Sequence, residues 1–135
     1  MSREITAASR VCLAAGQLGY WMMRNNSGVL NDKHGTPVRF GLGNESAKLN
    51  KEIKSSDYIG IAPMVITREM VGSTVGVFLA TEIKKEGWRL IPSDDRGHAQ
   101  QRFITEVRQR GGMATFASNE THLLEEVIRW TAEHS

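Results

Sequence analysis

A single cysteine, Cys12, is all the thiol chemistry the chain offers. No disulfide framework is possible within the chain, and a reducing compartment fits. No apolar stretch approaches the ~18 residues of a membrane span. The first residues lack the apolar core of a signal peptide, so the expected location is cytoplasmic. There is no internal repeat and no low-complexity linker. The run Arg39-Phe40-Gly41-Leu42-Gly43 has glycines that would let a backbone approach phosphate. It has neither the lysine–serine pair of a P-loop nor a dinucleotide fingerprint. Net charge is also small: a formal +2 permits nucleic-acid binding without demanding it.

What is present is ordinary for a globular protein. The chain has 135 residues, 40% hydrophobic and 24% charged, most simply one domain over 1–135 with a real core. Residues 2–18 read as a helix, with Ile5, Ala8, Cys12 and Ala15 in one apolar stripe and Glu4 in the first turn. Tyr20–Arg24 reads as a strand, followed by the turn signal Asn25-Asn26-Ser27-Gly28. Residues 29–52 are less regular. Lys48, Lys51 and Lys54 form either a solvated face or contacts to a nucleic-acid backbone.

Asp57 stands at the mouth of an apolar run, Tyr58–Thr67. A second run, Val75–Lys85, reads as a buried strand. Its period of two puts Phe78, Ala80, Glu82 and Lys84 on one face and Val77, Leu79, Thr81 and Ile83 on the other. The turn signal at Gly72 between the runs predicts neighbouring strands, which would bring Asp57 and Glu82 to one spot. His98–Arg110 reads as a helix ended by Gly111-Gly112. Ala99, Phe103, Ile104 and Val107 mark its buried face; Gln100 shares that face, and Gln101 should be exposed. Met113–Ala117 reads as a strand, and Glu120–Ala132 as a last helix with Leu123, Leu124, Val127, Ile128 and Thr131 on one side. The order predicts an α/β fold, helices packed on a mixed sheet.

Glu82 and Lys84 leave an apolar strand on the same side. Such charges are costly unless something pairs or binds them. One reading is a strand-end salt bridge. The other is a metal-ligating carboxylate with a lysine beside it.

Asp57 followed by Glu82-Ile83-Lys84, each on its own strand, reproduces the Asp…Glu-x-Lys pattern of restriction-endonuclease-like nucleases. Around it, Gly-Val-Phe-Leu-Ala-Thr-Glu-Ile-Lys-Lys, Gln100-Gln101-Arg102-Phe103-Ile104 and Arg110-Gly111-Gly112-Met113-Ala114 resemble the VRR-NUC branch of the PD-(D/E)XK superfamily. So do Arg24-Asn25-Asn26-Ser27-Gly28 and Ser56-Asp57-Tyr58-Ile59-Gly60-Ile61. These segments span nearly the whole chain, which looks most like the small stand-alone members of phages and bacteria. The chain departs from the family before Asp57, where Lys54-Ser55-Ser56 replaces a Gly-Pro-Asp or Gly-x-x-Asp lead-in. The connection from Phe40 to Asp57 and the spacing from Asp57 to Glu82 are long.

The resemblance implies a restriction-endonuclease-like fold, a mixed central sheet flanked by helices. It implies a Mg²⁺- or Mn²⁺-dependent endonuclease acting on DNA, including branched DNA such as Holliday junctions, and a homodimer. Asp57, Glu82 and the backbone carbonyl of Ile83 would hold the ion, hard oxygen donors for a hard cation. Lys84 would polarise water and offset charge on the phosphate. Gln100 would orient water or ligand, and Glu4 would complete the shell or bind a second ion. Two alternatives stand beside this: a catalytically silent nucleic-acid-binding module of the same fold, using Lys48, Lys51, Lys54 and Arg102, and an unrelated α/β protein whose Glu-x-Lys is a surface pair.

Overall fold

The computed structural model describes residues 3–135, with side chains from residue 7 onward. The chain is mixed α/β. In order it forms α1 (Arg3–Gln17), β1 (Trp21–Arg24), β2 (Gly28–Asn31), β3 (Pro37–Phe40), α2 (Ala47–Glu52), β4 (Tyr58–Ile61), a 3-10 turn (Arg68–Met70), β5 (Leu79–Ile83), α3 (Asp95–Gln109), β6 (Met113–Ala117) and α4 (Glu120–Glu133). No helix among the described residues is long and apolar enough to cross a membrane. The chain divides into two compact units, Met1–Ala62 and Pro63–Ser135.

In the first unit α1 lies against β1. Ala8 and Cys12 are half-buried and Ala15 is buried, so the predicted stripe from Ala8 onward is the docking face; the Ile5 side chain lies outside the described residues. β1 pairs antiparallel with β4, Trp21 opposite Ile61 and Arg24 opposite Tyr58. β2 and β3 form a separate antiparallel hairpin, Gly28 opposite Phe40. Asn44, only 3% exposed, closes its base. Its amide donates to the Gly28 carbonyl (2.8 Å) and the Phe40 carbonyl (2.9 Å), and its side-chain oxygen accepts from Arg39 Nη2 (2.6 Å). The glycine-bearing run after Arg39 therefore serves this closure. Gly41 has φ +95°, and a Cβ there would collide with Ser27 and the Asn26 carbonyl.

The second unit is a strand–helix–strand crossover with a further helix. β5 and β6 pair in parallel, Leu79 opposite Met113 through Ile83 opposite Ala117. Parallel strands need a long crossover, and α3 provides it. Asp94 caps α3 by accepting from the Gly97 amide (2.9 Å). The helix docks along Gly97, Gln100, Ile104 and Val107, a line of helical spacing in which Val107 is fully buried. Ala99 is exposed and Phe103 is at the edge, so the docking line is narrower than the predicted face and has Gln100 near its centre.

Helix α4 packs on β6 with a face turned away from most of the predicted apolar stripe, of which Leu123 alone is half-buried. Glu126 is buried, while Leu124 (58% exposed) and Ile128 (68%) point outward. The reason is a polar clamp. The Glu126 carboxylate accepts from Arg108 (2.9 and 3.3 Å), Arg129 (2.6 and 2.8 Å) and the Ala114 amide (2.7 Å). Burial pushes the Glu126 carboxyl upward, but the hydrogen bonds from Arg129, the Ala114 amide and Arg108 outweigh it and hold it below its ordinary value. Hydrogen bonding to Glu126 raises Arg129 in turn.

The strand pairing corrects two expectations. The strand after Asp57 and the strand of Glu82 are not hydrogen-bonded neighbours: β4 pairs with β1, and β5 with β6. Nor do the described strands form one mixed central sheet; they form three two-stranded sheets. β4 stops at Ile61, just ahead of Pro63, which has no amide hydrogen for a sheet ladder. The residues that follow, up to the 3-10 turn, are unpaired. β5 is likewise shorter than the predicted run, beginning at Leu79.

Candidate functional site

The second unit carries a polar line on one face of β5. Along the strand Ala80, Glu82 and Lys84 are half-buried, whereas Leu79, Thr81 and Ile83 are exposed. Glu82 and Lys84 thus share the protected face, the one α3 approaches. Gln100, on the docking line of α3, stands between them. Its amide nitrogen donates to Glu82 Oε1 (2.8 Å) and its amide oxygen accepts from Lys84 Nζ (2.8 Å). The opposite polarity of the two neighbours fixes which end of the amide faces which charge.

The two charges are thus joined through Gln100. Among the described residues Glu82 and Lys84 form no ion pair with each other or with anything else; the ion pairs present join Arg108, Arg110 and Arg129 to Glu106, Glu126 and Glu133. An open cleft of about 340 Å³ adjoins the line, bordered by Ala80, Thr81, Glu82, Gln100, Phe103 and Ile104. Glu82 therefore borders open volume.

Two aromatic residues complete the surroundings of Lys84. Parallel register sets Phe116 opposite Glu82, and the Lys84 amide extends the pairing by donating to the Ala117 carbonyl (2.9 Å). Lys84 Nζ lies 4.8 Å from the Trp88 ring centre and 5.7 Å from that of Phe116. The two rings are 4.6 Å apart at 44°. Sequence reasoning missed both. Phe116 becomes visible only once β6 is paired to β5, and Trp88 sits in a polar connection that no periodicity marks.

Asp57 belongs to the first unit, directly ahead of β4, and is exposed. Its carbonyl accepts from the Asn25 amide (2.8 Å). The Asn25 side chain donates to Ser55 Oγ (2.9 Å) and to the Ser56 carbonyl (2.8 Å). The turn after β1 and the lead-in to Asp57 are thereby fastened together, which fixes the backbone that presents the carboxylate. Glu4 lies in α1, and its side chain is outside the described residues. Ile83, whose carbonyl is the expected third oxygen, lies on β5 with its side chain outward. Of the lysines of the alternative reading, Lys54 is tied back to Asn50 (2.8 and 2.9 Å), while Lys48 and Lys51 are exposed on α2. Arg102 is exposed on α3.

Glu82 offers a carboxylate that receives one side-chain hydrogen bond from the described residues and no ion pair, and oxygen is what Mg²⁺ and Mn²⁺ prefer. No group of three or more His, Cys, Asp or Glu side chains converges among the described residues. Comparison with protein-family models, with curated proteins and with solved structures gives no match.

Proposed function

We propose that this chain is a Mg²⁺- or Mn²⁺-dependent endonuclease that hydrolyses DNA phosphodiester bonds, with branched DNA among its substrates. The observation that carries the reading is the Gln100 bridge. A strand-end pair kept for stability would let ammonium and carboxylate meet directly. Here an amide holds them apart on one face beside an open cleft, with Glu82 free to accept more and Lys84 free to donate more.

Each residue then has a task. Gln100 fixes the Glu82 carboxylate through its N–H and tethers Lys84 through its carbonyl oxygen. Lys84 presents a compact positive charge to the scissile phosphate, stabilising charge that grows as the bond breaks. Glu82 and the Ile83 carbonyl are the oxygens of the second unit that would hold the cation; Asp57 and Glu4 belong to the first unit. A bound divalent ion supplies charge neutralisation and a more acidic water.

We extend the reading to a homodimer, since symmetric DNA junctions suit a two-fold protein. The outward apolar face of α4 supports it: Leu124 and Ile128 lie one turn apart and both are exposed.

The test is cleavage of flaps, four-way junctions and plain duplex with Mg²⁺ or Mn²⁺. Cutting that Glu82→Ala abolishes, together with its metal affinity, is the expected result. A silent binding module is the second reading, and the distribution of charge favours it in one respect. Residues 1–62 carry eight Lys and Arg against five Asp and Glu, whereas residues 63–135 carry nine against ten. A basic first unit suits backbone contact without chemistry. DNA binding that needs no divalent ion, with no cutting of any substrate, would select it.

A further inference from the structure

We propose that Trp88, backed by Phe116, is a positioning residue that aims the Lys84 ammonium; the inference rests on the hydrolytic reading above. A lysine side chain has four rotatable bonds, and here one hydrogen bond, to Gln100, tethers its end. A single tether fixes a distance and leaves a swing. The rings supply the missing constraint. An ammonium is attracted to an aromatic face, most strongly to that of Trp, and Nζ lies 4.8 Å from the Trp88 ring centre. Phe116 braces that ring at 4.6 Å and is itself held by its register opposite Glu82.

The local chain is built to deliver Trp88 to this place. The Trp88 amide donates to the Lys85 carbonyl (3.1 Å), closing a turn immediately after Lys84. Gly87 occupies its third position with φ +83°, a conformation that a side chain resists. The turn reverses the chain so that the indole returns over the end of β5. A tryptophan that served only as core filler would not need an ammonium for a neighbour. This one is half-buried and shares Lys84 with the amide that also holds Glu82. Lys84 is therefore fixed from two sides, by an acceptor and by a ring, and its remaining donor capacity is directed rather than free.

The experiment compares Trp88→Leu, Trp88→Phe and Phe116→Leu with the wild type in the full chain. Single-turnover cleavage, DNA affinity, Mn²⁺ calorimetry and the side-chain NMR shift of the Lys84 ε-methylene are measured for each. Trp88→Leu should slow cleavage about tenfold or more, with DNA and Mn²⁺ affinity within about twofold. Trp88→Phe should restore most of the rate, and Phe116→Leu should fall between. The ε-methylene resonance should lose its ring shielding in Trp88→Leu and keep much of it in Trp88→Phe. Equal rates in wild type and Trp88→Leu overturn the inference while leaving the nuclease reading intact, as does an ε-methylene shift that ignores the indole. A wild type that cuts none of the DNA substrates overturns the nuclease reading itself, and the role of Trp88 with it.

Discussion

Replacing Lys84 by Met removes one positive charge and little else. The thioether chain follows the lysine stem over Trp88 and Phe116, and sulfur sits well against aromatic rings. Gln100 keeps its donor bond to Glu82. Three losses follow. One is the hydrogen bond to Gln100, to a charged group and so worth about 1.5–3 kcal/mol when well buried. Lys84 is half-buried, so the stability change should lie at or below the lower end of that range. The second is the ring contact, largely replaced by sulfur. The third is the charge facing the scissile phosphate. Losing a preorganised electrostatic stabiliser typically costs 10²–10³ in rate, about 2.7–4 kcal/mol of barrier. Cleavage should therefore fall at least a hundredfold, while Mn²⁺ affinity stays near the wild-type value because an ammonium is no oxygen donor. Lys84→Ala should show the same split with a larger loss of stability. Single-turnover cleavage beside calorimetry of Mn²⁺ reads both quantities. Wild-type cutting by either variant would refute the mechanism; a parallel loss of metal affinity would refute the assignment of Lys84 to the phosphate.

Four further outcomes are expected. Divalent ions should raise the melting temperature through linkage, by an amount that grows with ion concentration and is reduced in Glu82→Ala; an unchanged shift in that variant would remove Glu82 from the ligands. Glu126→Ala should destabilise the protein by about 1–3 kcal/mol in denaturant unfolding, since it leaves the buried Ala114 amide without its acceptor and takes one partner from Arg108 and Arg129. The Glu126 carboxyl is held below its ordinary 4.5, so its contribution is complete above that pH and is lost as pH falls through the depressed value; Glu126→Gln should flatten the acid limb of stability against pH, and an unchanged limb would be inconsistent with the clamp. Sedimentation should show a dimer at micromolar concentration that Ile128→Glu dissociates, and a monomeric wild type would count against the proposed assembly.

Periodicity read the elements and much of the site. The 3.6 period located α1, α3 and α4, and the alternation along β5 placed Glu82 and Lys84 together on one face. Spacing from Ile104 put Gln100 toward that face, where the bridge is found. Pairing was less legible. Neighbouring in sequence suggested that β4 and β5 pair, yet β4 returns to β1, where the Asn25 side chain fastens the two lead-in turns. β5 instead takes its partner across α3. Which strand pairs with which depends on contacts far apart in sequence, and no local pattern encodes them. Trp88 was invisible for a related reason: a turn at Gly87 carries it back to Lys84, and turn geometry leaves no periodic trace.

The sharpest failure of pattern is α4, and it shows how to read the carboxylate on β5. Hydrophobic patterning assumes that the apolar stripe goes inward. In α4 a carboxylate goes inward because five hydrogen bonds meet it there, from two arginines and one backbone amide. Glu126 is thus a closed arrangement: every donor that approaches it comes from the protein, and its place is explained by what it joins, α3, β6 and α4. Glu82 is also on an inward face, also within an apolar element, and also beside a cation. Among the described residues it receives one side-chain hydrogen bond, from the Gln100 amide. A carboxylate kept for structure draws donors until its oxygens are satisfied. One left with unused acceptor capacity beside an open cleft has room for a ligand that the protein does not supply. The contrast between two glutamates of one unit, judged by the donors each has gathered, separates the structural acid from the candidate ligand more surely than burial or sequence spacing can.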